Sequence, residues 1–269
     1  MRAIRSIPLG ICGPCWARIG RSIISPASGE DRYSDDIRAF LNEHDIGTSH
    51  IRTVPGRRPG LYMIHRDKGD RHFTYWRDTS AAKLLADDKE ALHKQLDGAS
   101  MVYFSGITPA ILAPCARGRL LGAVVKARDA GAKIVFDTNL RPALWTSPRV
   151  MASVLTAAAT LCDIVLPTHT DEAPLFGDKS VEETAERYLE LGVEEVVVKD
   201  GAGEALIATA SERVKVAPKP GAKVVDATGA GDSFNGAYLS ADCREVIARS
   251  RRSRASRGRR GDRAEGGFG

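Results

Sequence analysis

The string Val225-Asp226-Ala227-Thr228-Gly229-Ala230-Gly231-Asp232-Ser233-Phe234-Asn235-Gly236-Ala237 sets small residues directly before an acid and an apolar run. Small side chains at Gly229, Ala230 and Gly231 let backbone approach a ligand closely, and the run that follows starts a helix. Unpaired amides at such a helix N-terminus, backed by the helix dipole, attract an anion such as a phosphate. Asp232 falls one turn inside that anion hole, where a carboxylate can take the proton of a hydroxyl attacking a phosphate. For Gly-Ala-Gly-Asp alone, a glycine-rich turn with a capping Asp is the preferred reading, but the longer string is far more specific. Arg77 and Arg141 suit a substrate carboxylate, because a guanidinium grips it in a bidentate fork. Tyr62 and Tyr75 add hydroxyls and flat faces for such a ligand. The plainer readings are a helix-cap salt bridge for Arg141 and cross-strand packing for the tyrosines.

The elements that must hold these residues alternate along the middle of the chain. Met101–Phe104, Lys133–Asp137, Asp163–Leu166 and Glu195–Lys199 are short Val-, Ile- and Phe-rich runs expected as buried parallel strands. Helix-like stretches lie between them at Ala110–Ala130, Arg149–Ala159 and Val181–Leu191, two of them ending at Gly131 and Gly192. This alternation reads as an α/β fold, a doubly wound, mostly parallel sheet. Glu204–Ala208 and Arg213–Val216 suggest a later antiparallel pair, and Asp31–Asp45 an amphipathic helix. Leu61–Arg66 and His72–Arg77 alternate around Asp67-Lys68-Gly69-Asp70, the pattern of a hairpin that would serve as a small β lid. Arg77 then sits near the end of the hairpin and Arg141 near the end of a parallel strand, where α/β ligands bind.

The whole chain is 27% charged and 43% hydrophobic, a globular composition, and no run approaches the ~20 apolar residues of a membrane span. Pro8 and Gly10 break the apolar patch Ile7–Cys12, a poor signal peptide. Five scattered cysteines fit free thiols in a reducing compartment. The net charge of +5 divides unevenly: beyond Asp242, nine arginines face Glu245, Asp262 and Glu265, so that tail carries +6 and the remainder −1. A near-neutral body argues against a nucleic-acid surface. Cys12-Gly13-Pro14-Cys15 has the thioredoxin-type spacing but no convincing strand before it, so it is read as coincidence.

The long Asp226–Phe234 string resembles the C-terminal signature of the ribokinase-like (PfkB) carbohydrate kinases, and within them the 2-keto-3-deoxygluconate kinases. The similarity runs from about Gly20 to about Ala241. Gly60-Leu61-Tyr62, Tyr75-Trp76-Arg77, Phe136–Pro142 with Leu144-Trp145, and Lys199-Asp200-Gly201-Ala202 resemble family motifs in the right order. The resemblance implies ATP-dependent phosphorylation of a sugar hydroxyl, with Asp232 as proton acceptor and Gly229, Ala230 and Gly231 as the anion hole. It favours substrate roles for Tyr62, Tyr75, Arg77 and Arg141. It further implies ATP contacts from Asn139, Arg141, Lys199, Gly201, Gly203, Gly229 and Gly231, with a plain hairpin turn as the alternative for Lys199–Glu204. Pro167–Glu172 falls where the family has Asn-x-x-Glu; His169 replaces the Asn, so Glu172 alone carries over, linked to Mg²⁺ indirectly.

Both ends depart from the family. Residues 1–19 read as an irregular segment without the expected Gly-Gly-x-x-x-Asn pattern, residues 20–243 as an incomplete kinase domain with its lid at about 51–77, and 244–269 as a disordered Arg-rich tail. The expectation is that both ends are truncated or frameshifted, with a central strand and one wall of the ATP site missing; an intact divergent member is the alternative. The activity expected is phosphorylation of a primary hydroxyl of 2-keto-3-deoxygluconate by ATP with Mg²⁺, in the cytoplasm, without nucleic-acid or membrane partners, homo-oligomerisation being left open. A kinase for a neutral sugar (fructokinase or ribokinase type), or an inactive remnant, are the competing readings.

Overall fold

Among the described residues of a computed structural model, which are 3–7, 22–24, 27–67, 70–218 and 229–241, eight strands form one sheet. From the N-terminus, β1 (Ala3–Ile7) and β2 (Ser22–Ile24) pair in parallel. Short β3 (Ala27–Ser28), helix α1 (Arg32–Glu43) and short β4 (Arg52–Thr53) follow. Asp31 caps α1, its Oδ1 accepting from the Ser34 amide at 3.0 Å. The hairpin is β5 (Leu61–Asp67) and β6 (Asp70–Trp76), in register from Leu61 opposite Trp76 to Asp67 opposite Asp70. Then come α2 (Lys89–Leu96), β7 (Ala99–Ser105), α3 (Ile107–Ile111), α4 (Pro114–Asp129) and β8 (Lys133–Asp137). After them stand α5 (Pro148–Ala159), β9 (Ile164–Val165), α6 (His169–Phe176), α7 (Val181–Glu190) and β10 (Glu195–Val198). The described chain ends with β11 (Ala205–Thr209), β12 (Arg213–Val216) and helix α8 over residues 230–241.

The sheet order is β12-β11-β10-β9-β8-β7-β1-β2, parallel from β10 to β2, with β11 and β12 added antiparallel. Alternate side chains of the strands face two cores. Val102, Phe104, Ile134, Phe136, Val196 and Val198 meet Leu120 of α4, Leu155 of α5 and Tyr188 of α7. Met101, Tyr103, Val135, Ile164 and Val197 meet Leu239 of α8 on the opposite face. Helices on both faces make the sheet doubly wound, and that leaves the C-terminal strand ends as the open edge for a ligand.

Three expectations change. The single helix expected at Ala110–Ala130 is two, because Pro114 lacks an amide and pushes Ala113 into extended backbone at ψ 152. The opening segment, expected to be irregular, contributes β1, and a strand stands inside the sheet where one was expected to be missing: β1 lies between β2 and β7. Pairing on both edges satisfies that strand's backbone groups, which outweighs its weak apolar pattern. A strand therefore does precede Cys12–Cys15, but those residues, the 225–228 end of the long string, Lys68-Gly69 of the hairpin turn and the Arg-rich tail lie outside the described residues.

Candidate active site

Gly229 opens α8 with φ +73, a left-handed conformation that favours glycine, and its carbonyl accepts the Ser233 amide at 2.8 Å. The first amides of a helix have no carbonyl one turn behind them, so those of exposed Ala230 and Gly231 have no partner within the helix. Asp232 stands half-buried in this first turn. Burial raises its pKa and the nearby Asp137 carboxylate raises it further, while Lys199 and Arg141 pull it down. A carboxylate whose pKa is raised in this way is a stronger base than a surface acid.

Below Asp232 lies a group of buried polar side chains. Lys199 Nζ donates to Asp137 Oδ1 at 3.2 Å and to Asn235 Oδ1 at 3.0 Å. Tyr103 Oη donates to Asp137 Oδ2 at 3.2 Å and accepts from Asn235 Nδ2 at 3.3 Å. Tyr103 comes from β7, Asp137 ends β8, Lys199 follows β10 and Asn235 belongs to α8. Lys199, expected to contact ATP from its turn, is thus engaged inside this group at 9% exposure. Gly201 and Gly203 stay exposed on the turn beyond it.

The loop leaving β8 carries Asn139 and Arg141. Asn139 holds φ +35, a conformation Asn tolerates better than most residues and one typical of constrained loops at functional sites. Exposed Arg141 donates Nη1 to its neighbour's carbonyl, Leu140 O, at 2.6 Å, and its charge reaches both Asp232 and Asp171. Burial raises the Asp171 pKa, against the pull of Arg141 and Lys199. The loop is braced by Arg117 of α4, whose guanidinium lies 5.0 Å over the Trp145 ring. Gly106 sets the depth of the neighbouring β7 exit: its amide donates to Asp137 O at 2.8 Å, and a Cβ there would stand 2.0 Å from Thr138 O.

Glu172, in the first turn of α6, is fully buried. Its Oε2 accepts from Arg187 Nη2 and Tyr188 Oη, each at 2.9 Å, while burial raises its pKa against those bonds. Arg187 also grips Asp178. Glu172 Oε1 and Thr138 Oγ1 are buried without hydrogen-bond partners among the described residues, two polar atoms that an ordered water could satisfy.

Tyr62 and Tyr75 are direct cross-strand partners on one face of the hairpin, ring centroids 6.3 Å apart. The Arg77 guanidinium lies 4.2 Å over the Tyr75 ring. That face is half exposed. The structure therefore gathers Asp232, Arg141 and Lys199 at the strand ends and Tyr62, Tyr75 and Arg77 on the hairpin as a second group. Sequence reasoning did not single out Tyr103, Asp137, Asn235 or Asp171 for a role. Asp137 and Asn235 both lie inside the motifs quoted above, so a polar residue ending an apolar strand was the available signal.

The whole-chain comparisons agree with this architecture. The model of the pfkB family carbohydrate kinases matches residues 21–245. The 2-dehydro-3-deoxygluconokinase of Escherichia coli K12 is 38% identical over 220 residues, 80% of this chain and 71% of that protein. A probable fructokinase-2 of Arabidopsis thaliana is 29% identical over 237 residues, 87% of this chain and 71% of the relative. The solved putative ribokinase II of Escherichia coli in complex with ATP and Mg²⁺ superposes with a TM-score of 0.76 at 22% identity, covering 91% of this chain and 87% of that one.

Proposed function

The chain belongs to the pfkB family of carbohydrate kinases, and on that premise we propose that it transfers the γ-phosphoryl group of ATP to a primary hydroxyl of 2-keto-3-deoxygluconate. The observation that carries the reading is Asp232, a base raised by burial in the first turn of α8 with Arg141 acting on it. The higher identity to a 2-dehydro-3-deoxygluconokinase than to a fructokinase supports the acidic sugar. Asp232 takes the proton of the sugar hydroxyl as its oxygen attacks the γ-phosphorus and ADP departs. The amides of Ala230 and Gly231 face the charge that develops on the transferring oxygens.

Arg141 and Arg77 clamp the substrate carboxylate, and Tyr62 and Tyr75 close over the sugar when the hairpin shuts out water. Asn139 and the exposed turn with Gly201 and Gly203 flank the nucleotide. Mg²⁺, when bound with ATP, neutralises phosphate charge. Among the described residues no three acidic, histidine or cysteine side chains cluster into a metal cage, so Glu172 Oε1 and Thr138 Oγ1 would act on it through water.

The test is ADP release by the purified chain with ATP and Mg²⁺, supplied with 2-keto-3-deoxygluconate or with fructose. Faster turnover of the keto acid is expected. Preference for fructose would move the protein to the neutral-sugar class, and no turnover of either would leave a non-catalytic member of the family.

A further inference from the structure

Tyr103, Asp137, Lys199 and Asn235 are 4%, 3%, 9% and 0% exposed, yet they carry two formal charges in a region otherwise filled by apolar side chains. Burying such groups is tolerated only when donors and acceptors match, and here they match in one way. Lys199 has only protons to give, so both Asp137 and the Asn235 amide oxygen must receive them. The Asn235 NH₂ then turns to Tyr103 Oη, whose own proton goes to Asp137 Oδ2. The ring closes with Asp137 ionised and Lys199 charged. Breaking one member of a buried pair of this kind leaves the other uncompensated.

Asn235 is three residues beyond Asp232, so the two share a side of α8. We propose that this ring positions the catalytic base: Asn235 fastens the first turns of α8 to the ends of β7, β8 and β10, and the Lys199–Asp137 pair sets the charge that Asp232 faces. The role rests on Asp232 being the base. It gives Lys199 work beneath the base instead of on the nucleotide.

Among the described residues, the charged and titratable groups acting on Asp232 come from each neighbouring element. They are Asp137 ending β8, Arg141 in the loop after it, Lys199 after β10, and Tyr103 on β7, which burial keeps neutral. Asp137 and Lys199 act in opposite senses, so their removal must move Asp232 in opposite directions. Without Lys199, two carboxylates face one another with less compensation, and Asp232 holds its proton to higher pH. Without the Asp137 charge, Lys199 and Arg141 act unopposed and Asp232 ionises at lower pH. A purely structural ring would weaken folding in both variants without that opposition.

The experiment is a titration of side-chain carboxyl ¹³C resonances in the ligand-free full chain, the Asp232 signal being assigned by its loss in Asp232→Asn. In Lys199→Gln the Asp232 midpoint should rise and in Asp137→Asn it should fall, each by about one unit, the low end for a neighbouring charge. Unmoved midpoints, or movement in the same direction, overturn the proposal. If Lys199→Gln does not fold, Asp137→Asn alone must lower the midpoint, and an unchanged value there is equally fatal. Because no substrate is present, a failure to phosphorylate the keto acid would count against the proposed activity and not against the ring.

Discussion

At the scale of single residues the proposed chemistry concentrates on Asp232, as the proton acceptor, and on Arg141. Asp232→Asn keeps the shape of the first turn of α8 and removes the proton acceptor, so kcat should fall by ~10²–10⁴. Its effect on stability has the opposite sign. The folded-state pKa is raised above the unfolded value of about 3.9, so the wild type loses stability as pH rises through that interval. The Asn variant carries no such cost. Its melting temperature should match or exceed wild type at neutral pH, and the gain should vanish in melts below the unfolded value. Arg141→Ala should weaken an acidic sugar by about one to two powers of ten, one charge-assisted hydrogen bond, and barely touch a neutral one. Binding measured with the keto acid and with fructose decides it, and equal losses would make Arg141 structural. Asp232 and Arg141 were legible because small residues before an acid, and a cation at a strand end, are local patterns. Tyr103 and Asn235 were not, since each sits in an apolar run and its polar partners come from distant parts of the chain.

At the scale of elements, strand placement was legible wherever Val, Ile and Phe run together, and β8 falls on the expected Lys133–Asp137. Boundaries that depend on one residue were harder to read. Pro114 divides α3 from α4, and α6 forms across an acidic stretch with Pro174 inside it, where periodicity carried no helix signal. What sets the site at this scale is how closely neighbouring exits approach, and Gly106 is the tightest case. A methyl group there would overlap Thr138 O, which belongs to backbone and cannot rotate away. Gly106→Ala should therefore cost about 1–3 kcal/mol in chemical denaturation. Activity should fall as well, since the displaced Thr138 lies between Asp137 and the Asn139–Arg141 loop. A variant of unchanged stability would show that the two exits are free to separate.

At the scale of the whole molecule, one mostly parallel sheet covered on both faces brings four separate stretches of chain to one edge, and the alternation of strand and helix made that legible in advance. No helix among the described residues is long and apolar enough to cross a membrane. The identity of the partners across that edge was not legible, because spacing along a strand does not say which strand lies next to it. The buried ring shows the scale of the problem: its bonds join residues 34, 36, 62 and 132 positions apart in the chain. Such contacts are rewarded only after the loops between them have closed, so they form slowly and late compared with the β5–β6 hairpin or a single helix. During synthesis the Tyr103–Asp137 and Lys199–Asp137 bonds can form first, but the two bonds of Asn235 that complete the ring must wait until α8 has emerged. On the proposed reading catalytic competence therefore arrives with α8, and a nascent chain ending before residue 232 has its strand ends formed with no base to use them.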